Sequence, residues 1–285
     1  MKFLLPGLVL GLLSAQGAQA QQSLNIPSTF SDTIPFQLAN GFLVLVEGRI
    51  GTLAHLRFIL DTGATDTWLD KKLGEKLSLP RHGAKIFNFD HYSRVERASV
   101  PELQLGSLLA RNNRVIVGDL KQFSEFAANV DGIVGMDLLS ATQSLRIDYS
   151  HLLVTFKTSG ASGAARQDAT NALTVQLSVQ GQPLCLIIDT GISGLLLYKD
   201  RLHKHLPQLK LTSSTIGVQG GRLWGESALV SGIRLGSDQV QASVFLIPGE
   251  PDSLPADIDG FVGSDALKAK TIELNFATNR VRIWQ

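Results

Sequence analysis

Cysteine is almost missing: of 285 residues only Cys185 carries a thiol. That excludes an internal disulfide and every multi-cysteine metal site. Cys185 stands in the apolar run LCLII and reads as a small core residue. An excess of either charge is missing as well. The chain has 26 Lys and Arg against 25 Asp and Glu, so it offers no footprint for nucleic acid or an anionic membrane. The six histidines lack metal spacing. His203 and His205 are two apart, whereas a helical zinc motif sets its histidines four apart around a carboxylate. A G-x-S-x-G elbow and a phosphate-binding glycine loop are also absent. Serine-nucleophile, metal and nucleotide chemistry therefore have no foothold, and neither metal nor cofactor is expected.

Long apolar runs are scarce too. The one near the start, Phe3 to Leu13, is about half of the roughly 20 residues that a bilayer span requires. It follows Lys2 and precedes a small-x-small site at Ala18–Gln19–Ala20. Residues 1–20 therefore read as a signal peptide. The expectation is an exported protein, periplasmic or secreted, with no membrane span after signal removal. Without Lys2 the balance is 26 − 1 = 25 basic against 25 acidic residues. Held together without disulfides, such a chain depends on core burial, which 44% apolar residues make feasible.

What the sequence does hold is a repeat. The stretch FILDTGATDTWLD contains Asp61 and LIIDTGISGLLLY contains Asp189, an offset of 189 − 61 = 128. DGIVGMDLL begins at Asp131 and DGFVGSDAL at Asp259, and 259 − 131 is again 128. Each is followed by a hairpin-like tail, Leu145–Phe156 and Ile272–Trp284. The stretch 157–171 between the halves is rich in Gly, Ser and Ala and reads as a linker. The expected plan is a lobe over 21–156, a linker over 157–171 and a second lobe over 172–285. Alternating apolar runs bounded by glycine make both lobes mostly β. Short helices are expected at DKKLGEKL, DLLSAT and DALKAK, the last two opened by Asp137 and Asp265 as N-caps.

A carboxylate straight after an apolar run is costly unless it is hydrogen-bonded or neutralised. Two of them at one fixed offset point to a symmetric site to which each lobe contributes one. Brought together, they cannot both ionise cheaply and share a proton, titrating as a unit. One member can then take a proton from water while the other gives one to a carbonyl.

These residues resemble the aspartic peptidases of the pepsin and retropepsin superfamily, most of all bacterial retropepsin-like aspartyl proteases with two DTG lobes in one chain. The resemblance implies an all-β, bilobal acid-protease fold with two β-barrel-like lobes around a cleft. It implies an aspartic-type endopeptidase with Asp61 and Asp189 as its dyad. Thr62 and Thr190 would bond across the lobe interface, and Gly63 and Gly191 would permit the tight turn. Ile133–Val134–Gly135 and Phe261–Val262–Gly263 would pack beneath the two loops. Where many pepsin-like enzymes have a Ser or Thr donor after Asp-Thr-Gly, this chain has Ala64 and Ile192. Loss of those donors should raise the dyad's apparent pKa values, giving activity at mildly acidic to near-neutral pH.

The family also closes its cleft with a hairpin flap. The candidates are Lys85–Val100 and the equivalent Ser213–Ala228, with Gly220 and Gly221 at a tip. Tyr92 and Trp224 are either substrate contacts or ordinary packing aromatics. The expected partner is a peptide or protein substrate with apolar residues around the scissile bond, and the expected state is a monomer. Two other readings stay open: an inactive peptide-binding protein on the same fold, and an envelope protein whose two Asp-Thr-Gly loops lie far apart.

Overall fold

The structure is a computed structural model that describes residues 4–5, 30–88, 91–121, 123, 127, 129–158, 173–179, 181–202, 210–218, 221–235, 238–248 and 254–285. The linker expected over 157–171 lies, beyond residue 158, outside the described residues. The same holds for the expected signal segment apart from Leu4–Leu5, a two-residue strand paired parallel to Thr212–Val218.

Strands dominate, as the glycine-bounded apolar runs require. In the first lobe, strands Leu43–Ile50, Leu53–Leu60, Gly132–Val134, Trp68–Asp70, Leu108–Gly118 and His91–Leu105 pair in that order. The ring then closes through Arg49↔Gln104 and Ile50↔Leu103. The second lobe repeats it with Thr174–Val179, Gln182–Ile188, Gly260–Val262, Leu195–Tyr198, Asp238–Ile247 and Gly221–Leu235, closed between the last strand and the first. Each lobe is thus a six-strand barrel. Closure leaves few open edges to the ring, and the small barrel is filled by its own side chains. Phe58, Leu60 and Val134 in one lobe and Leu186, Ile188 and Val262 in the other belong to one buried apolar cluster.

Each barrel also carries a hairpin on its last strand. His82–Asn88 pairs with His91–Leu105, and Thr212–Val218 with Gly221–Leu235. These are the two stretches expected as flaps.

The C-terminal strands do not stay with the second barrel. Thr271–Asn275 pairs with Ser144–Asp148, from Ser144↔Asn275 to Asp148↔Thr271, and Arg280–Trp284 pairs outside it. On the other side, Ser144–Asp148 pairs with Leu153–Thr158, which pairs with Phe30–Ala39. One sheet therefore runs from the end of the chain into the first barrel and holds the lobes in a fixed relation. Leu145, Ile147, Val154, Ile272 and Leu274 are fully buried beneath it.

Two of the three expected helices form among the described residues, and a short one at Lys199–Leu202 was not expected. Lys71–Lys76 forms, with Asp70 Oδ1 accepting from Lys72 N at 2.9 Å as an N-cap. Met136–Leu139 forms a single turn, but its N-cap is Gly135 and Asp137 sits inside the turn. The segment after Asp265 is turn rather than helix. The N-cap reading of Asp137 and Asp265 is therefore corrected: their carboxylates serve more distant partners, as described below. The other acidic pair of the repeat is structural. Asp131 Oδ2 accepts from Arg57 N and Asp259 Oδ2 from Cys185 N, both at 2.8 Å. Burial pushes the Cys185 thiol up, which favours its protonated form.

Candidate active site

Each Asp-Thr-Gly loop begins where a barrel strand runs out of partners. Leu53–Leu60 lies parallel to Gly132–Val134, ending at Leu60↔Val134, and Asp61 N then donates to Val134 O at 3.0 Å. In the second lobe Gln182–Ile188 lies parallel to Gly260–Val262, and Asp189 N donates to Val262 O at 3.0 Å. The two apolar-apolar-Gly segments are thus strand neighbours of the residues leading into each Asp. Their glycines make room for the loops: a Cβ on Gly135 would lie 2.6 Å from Asp66 O, and one on Gly263 2.4 Å from Ile192 O.

The threonines cross between lobes. Thr62 Oγ1 donates to Ile188 O and Thr190 Oγ1 to Leu60 O, both at 2.7 Å. In return, Thr62 N donates to Thr190 Oγ1 at 3.2 Å and Thr190 N to Thr62 Oγ1 at 3.1 Å. All four bonds are buried, where an unmade bond costs about 1–3 kcal/mol. The loops are therefore locked to each other rather than merely adjacent.

The glycines of the motif have a different role from the one expected. Neither Gly63 nor Gly191 has a positive φ. Instead, a Cβ on Gly63 would lie 2.2 Å from Asp189 Oδ2, and one on Gly191 2.4 Å from Asp61 Oδ2. Each carboxylate rests on the other lobe's glycine, so the requirement is close approach and not a turn conformation.

Asp61 and Asp189 are both fully buried. Asp61 Oδ1 accepts from Gly63 N at 2.9 Å and Ala64 N at 3.0 Å. Asp189 Oδ1 accepts from Gly191 N at 2.8 Å, and Ile192 N provides no second bond. Ile192 is 1% exposed, in a buried apolar cluster with Leu196, Tyr198 and Phe261. The other oxygens, Asp61 Oδ2 and Asp189 Oδ2, are buried and receive no donor from the rest of the described protein. Two acceptors so placed favour one proton between them.

Burial pushes Asp61 up to about 6, held back by the Gly63 amide, the Asp189 side chain and the Ala64 amide. Burial and the Asp61 charge push Asp189 well above the carboxylate range, with only the Gly191 amide opposing. With two amide donors against one, Asp61 is the better stabilised of the two as an anion.

The sequence-derived flap residues are less well placed. Gly220 and the side chain of Tyr92 lie outside the described residues, and of Gly221 only the strand backbone is described. Trp224 is 72% exposed on the second hairpin, which excludes ordinary core packing for it. Among the described residues, no group of His, Cys, Asp and Glu could hold a metal ion, and no helix is long and apolar enough to cross a membrane.

Sequence reasoning missed the second role of the repeat's last acidic residue. Asp137 Oδ1 accepts from Thr67 Oγ1 at 2.7 Å, while Asp137 N donates to Thr65 O at 3.1 Å. Asp265, its counterpart in the second lobe, accepts from Ser193 Oγ at 2.5 Å and Gly194 N at 2.9 Å. Both carboxylates brace an Asp-Thr-Gly loop from behind. The available signal was their equal offset from the loop aspartates, since 137 − 61 and 265 − 189 are both 76.

Residues 46–138, which carry the first loop and its brace, match the sequence model of the family described as Aspartyl protease. No curated protein matches the chain in sequence. Among solved structures the chain is similar to a retropepsin-like aspartic protease from Rickettsia conorii, at 20% identity over 47% of this chain and 97% of that one, with a TM-score of 0.33. It is also similar to the EIAV protease complexed with the inhibitor HBY-793, at 18% identity over 34% of this chain and 86% of that one, TM-score 0.28. By the family match of its first lobe and by its all-β, two-barrel fold, the chain resembles the aspartic peptidases of the retropepsin-like group.

Proposed function

We propose that the chain is an exported aspartic endopeptidase that hydrolyses peptide bonds with water activated between Asp61 and Asp189. The observation that carries this reading is the pair of buried, opposed carboxylates whose Oδ2 atoms receive no donor from elsewhere in the described protein. In a fold stabilised by burial, two such groups are a standing cost, and a proton-sharing reaction is what gives them a use.

The steps balance. Water attacks the scissile carbonyl carbon and passes a proton to ionised Asp61, while Asp189 donates its proton to the carbonyl oxygen. The resulting gem-diol collapses as Asp61 returns its proton to the leaving nitrogen and Asp189 recovers one from a hydroxyl. No covalent intermediate forms. Thr62, Gly63, Thr190 and Gly191 keep the two carboxylates in register. Substrate lies extended between the lobes, bonded through its backbone as an added strand, with apolar residues around the cut. The hairpins carrying Tyr92 and Trp224 cover it, and the exposed Trp224 indole is the candidate contact on the second.

The test is digestion of a peptide library by the chain from Gln21 onward, across acidic to neutral pH. Cleavage between apolar residues is the expected result. Peptide retained but uncut at every pH would replace this reading with that of a binding protein on the same fold, which the missing Ile192 amide bond to Asp189 favours.

A further inference from the structure

The apolar side chains of each lobe form two layers. In the second lobe Leu195, Leu197 and Val262 belong to the barrel core, whereas their neighbours Leu196 and Phe261 belong to a separate buried cluster. The first lobe is built alike, with Leu69 and Val134 in the core and Trp68 and Ile133 in a cluster of their own. Successive side chains of a strand point to opposite faces, so each separate cluster lines the outside of a barrel wall. Each takes in that lobe's hairpin, through Ile86 in the first and the cross-strand pair Ile216↔Leu223 in the second. Each also reaches the Asp-Thr-Gly loop at the residue directly after the motif, Ala64 in one and Ile192 in the other.

That residue stands beside the carboxylates. Ala64 N donates to Asp61 Oδ1 at 3.0 Å. Gly191, just before Ile192, is so close that a Cβ on it would lie 2.4 Å from Asp61 Oδ2. The two positions are equivalent in the repeat, 192 − 64 = 128, yet one side chain is a methyl and the other a branched butyl. A peptide held at the carboxylates and beneath the hairpins meets them at mirror positions on the two sides of the cut. Both are buried, so a substrate side chain takes its place by parting hairpin from wall. The room it then finds depends on how much the loop residue already fills.

We propose that Ile192 is a specificity-determining residue, filling the side-chain position that the second lobe offers the substrate. Peptides are then selected for a small residue on that side of the cut and a bulky apolar one at the mirror position beside Ala64. This deepens the proposed peptidase reading and rests on it for the path of the peptide. A purely structural role would follow from volume alone. The second lobe has Leu196 where the first has Trp68, 196 − 68 = 128, and Ile192 would make up the difference.

The test compares the full chain with Ile192→Ala, Ala64→Ile and the exchange of both, on a peptide library varied on each side of the cut. Equilibrium binding of the same peptides with the scissile amide reduced to a methylene-amine, which cannot be hydrolysed, is measured beside turnover. The wild type should favour Ala over Leu or Phe at one position and the reverse at its mirror. Ile192→Ala should raise kcat/KM for Leu relative to Ala at the first position by about tenfold or more, leaving the mirror position as it was. The exchange of both should carry the small-residue preference to the other side.

Equal preferences on the two sides of the cut in the wild type overturn the proposal. So does an Ile192→Ala chain that melts at lower temperature with its preferences unchanged, which makes Ile192 a filler. Should Ile192→Ala fail to fold, Ala64→Ile must narrow the mirror position, and an unchanged profile there overturns the proposal. Absence of turnover, with the same one-sided selectivity in binding of the reduced peptides, upholds the role of Ile192 and removes the peptidase reading instead. Binding without that selectivity overturns the proposal.

Discussion

If the proposed reading holds, peptide hydrolysis should fall by about 10²- to 10⁴-fold in both Asp61→Asn and Asp189→Asn, the range that a positioned acid or base supplies. The substitution is nearly isosteric, so Oδ1 still accepts from Gly63 N or Gly191 N and the loop keeps its shape. The new amide donates to the remaining carboxylate and imitates the shared proton, but cannot release it. Since the two groups act as one device, the double variant should be no slower than either single one. Additive losses would indicate that each aspartate works alone. Stability should move the other way. Folded Asp61 titrates near 6 instead of 3.8, and Asp189 is raised further in the same direction. The native state therefore holds extra protons in acid, and stability declines as pH rises through that interval. Either Asn variant removes part of that decline, so thermal unfolding at neutral pH should occur at higher temperature than in the wild type. Stability given up where chemistry is done is the pattern expected of a working site.

The second large effect belongs to glycine. In Gly63→Ala the new Cβ meets Asp189 Oδ2 at 2.2 Å, and in Gly191→Ala it meets Asp61 Oδ2 at 2.4 Å. The neighbour in each case is no flexible chain end. It is a buried carboxylate fixed by a backbone amide, on loops tied by four cross-lobe bonds. Relief requires the lobes to separate or a carboxylate to swing away. A displacement of about 1 Å costs on the order of a hundredfold in rate, and overpacking costs about 1–3 kcal/mol of stability. Gly83→Ala is the control, since a Cβ there meets nothing within 4 Å and φ is not positive. Comparison of kcat and denaturant midpoints across the three variants checks the close apposition. Full activity in Gly63→Ala would mean that the carboxylates do not sit over the opposing glycines.

The repeat made much of this legible. The fixed offset that relates Asp61 to Asp189 also relates Asp131 to Asp259 and marks two equivalent loops, and the alternating runs beside them mark strands, which the structure closes into barrels. What escaped were features set by chain segments far apart. An Asp before a short apolar run looks like a helix cap, yet Asp137 bonds Thr67 across 70 residues and Asp265 bonds Ser193 across 72. Local pattern carries no trace of such a partner. The strand Thr271–Asn275 looks like the end of the second lobe, but its register is set by Ser144–Asp148. Gly63 reads as a turn glycine because the group that excludes a side chain there belongs to the other lobe. Ile192, in the place of a hydroxyl donor, is accommodated by an apolar pocket formed with Tyr198 and Phe261, residues outside its own loop.

The central claim is that two carboxylates from two lobes hold one proton between them and use it on a peptide bond. The most direct measurement is kcat/KM against pH, from strongly acidic to mildly alkaline, with a single peptide drawn from the library. Since Asp61 must be ionised and Asp189 protonated, the account predicts a bell with its acid limb near pH 6 and its maximum towards neutrality. A rate that stays level or rises into strong acid would contradict the claim.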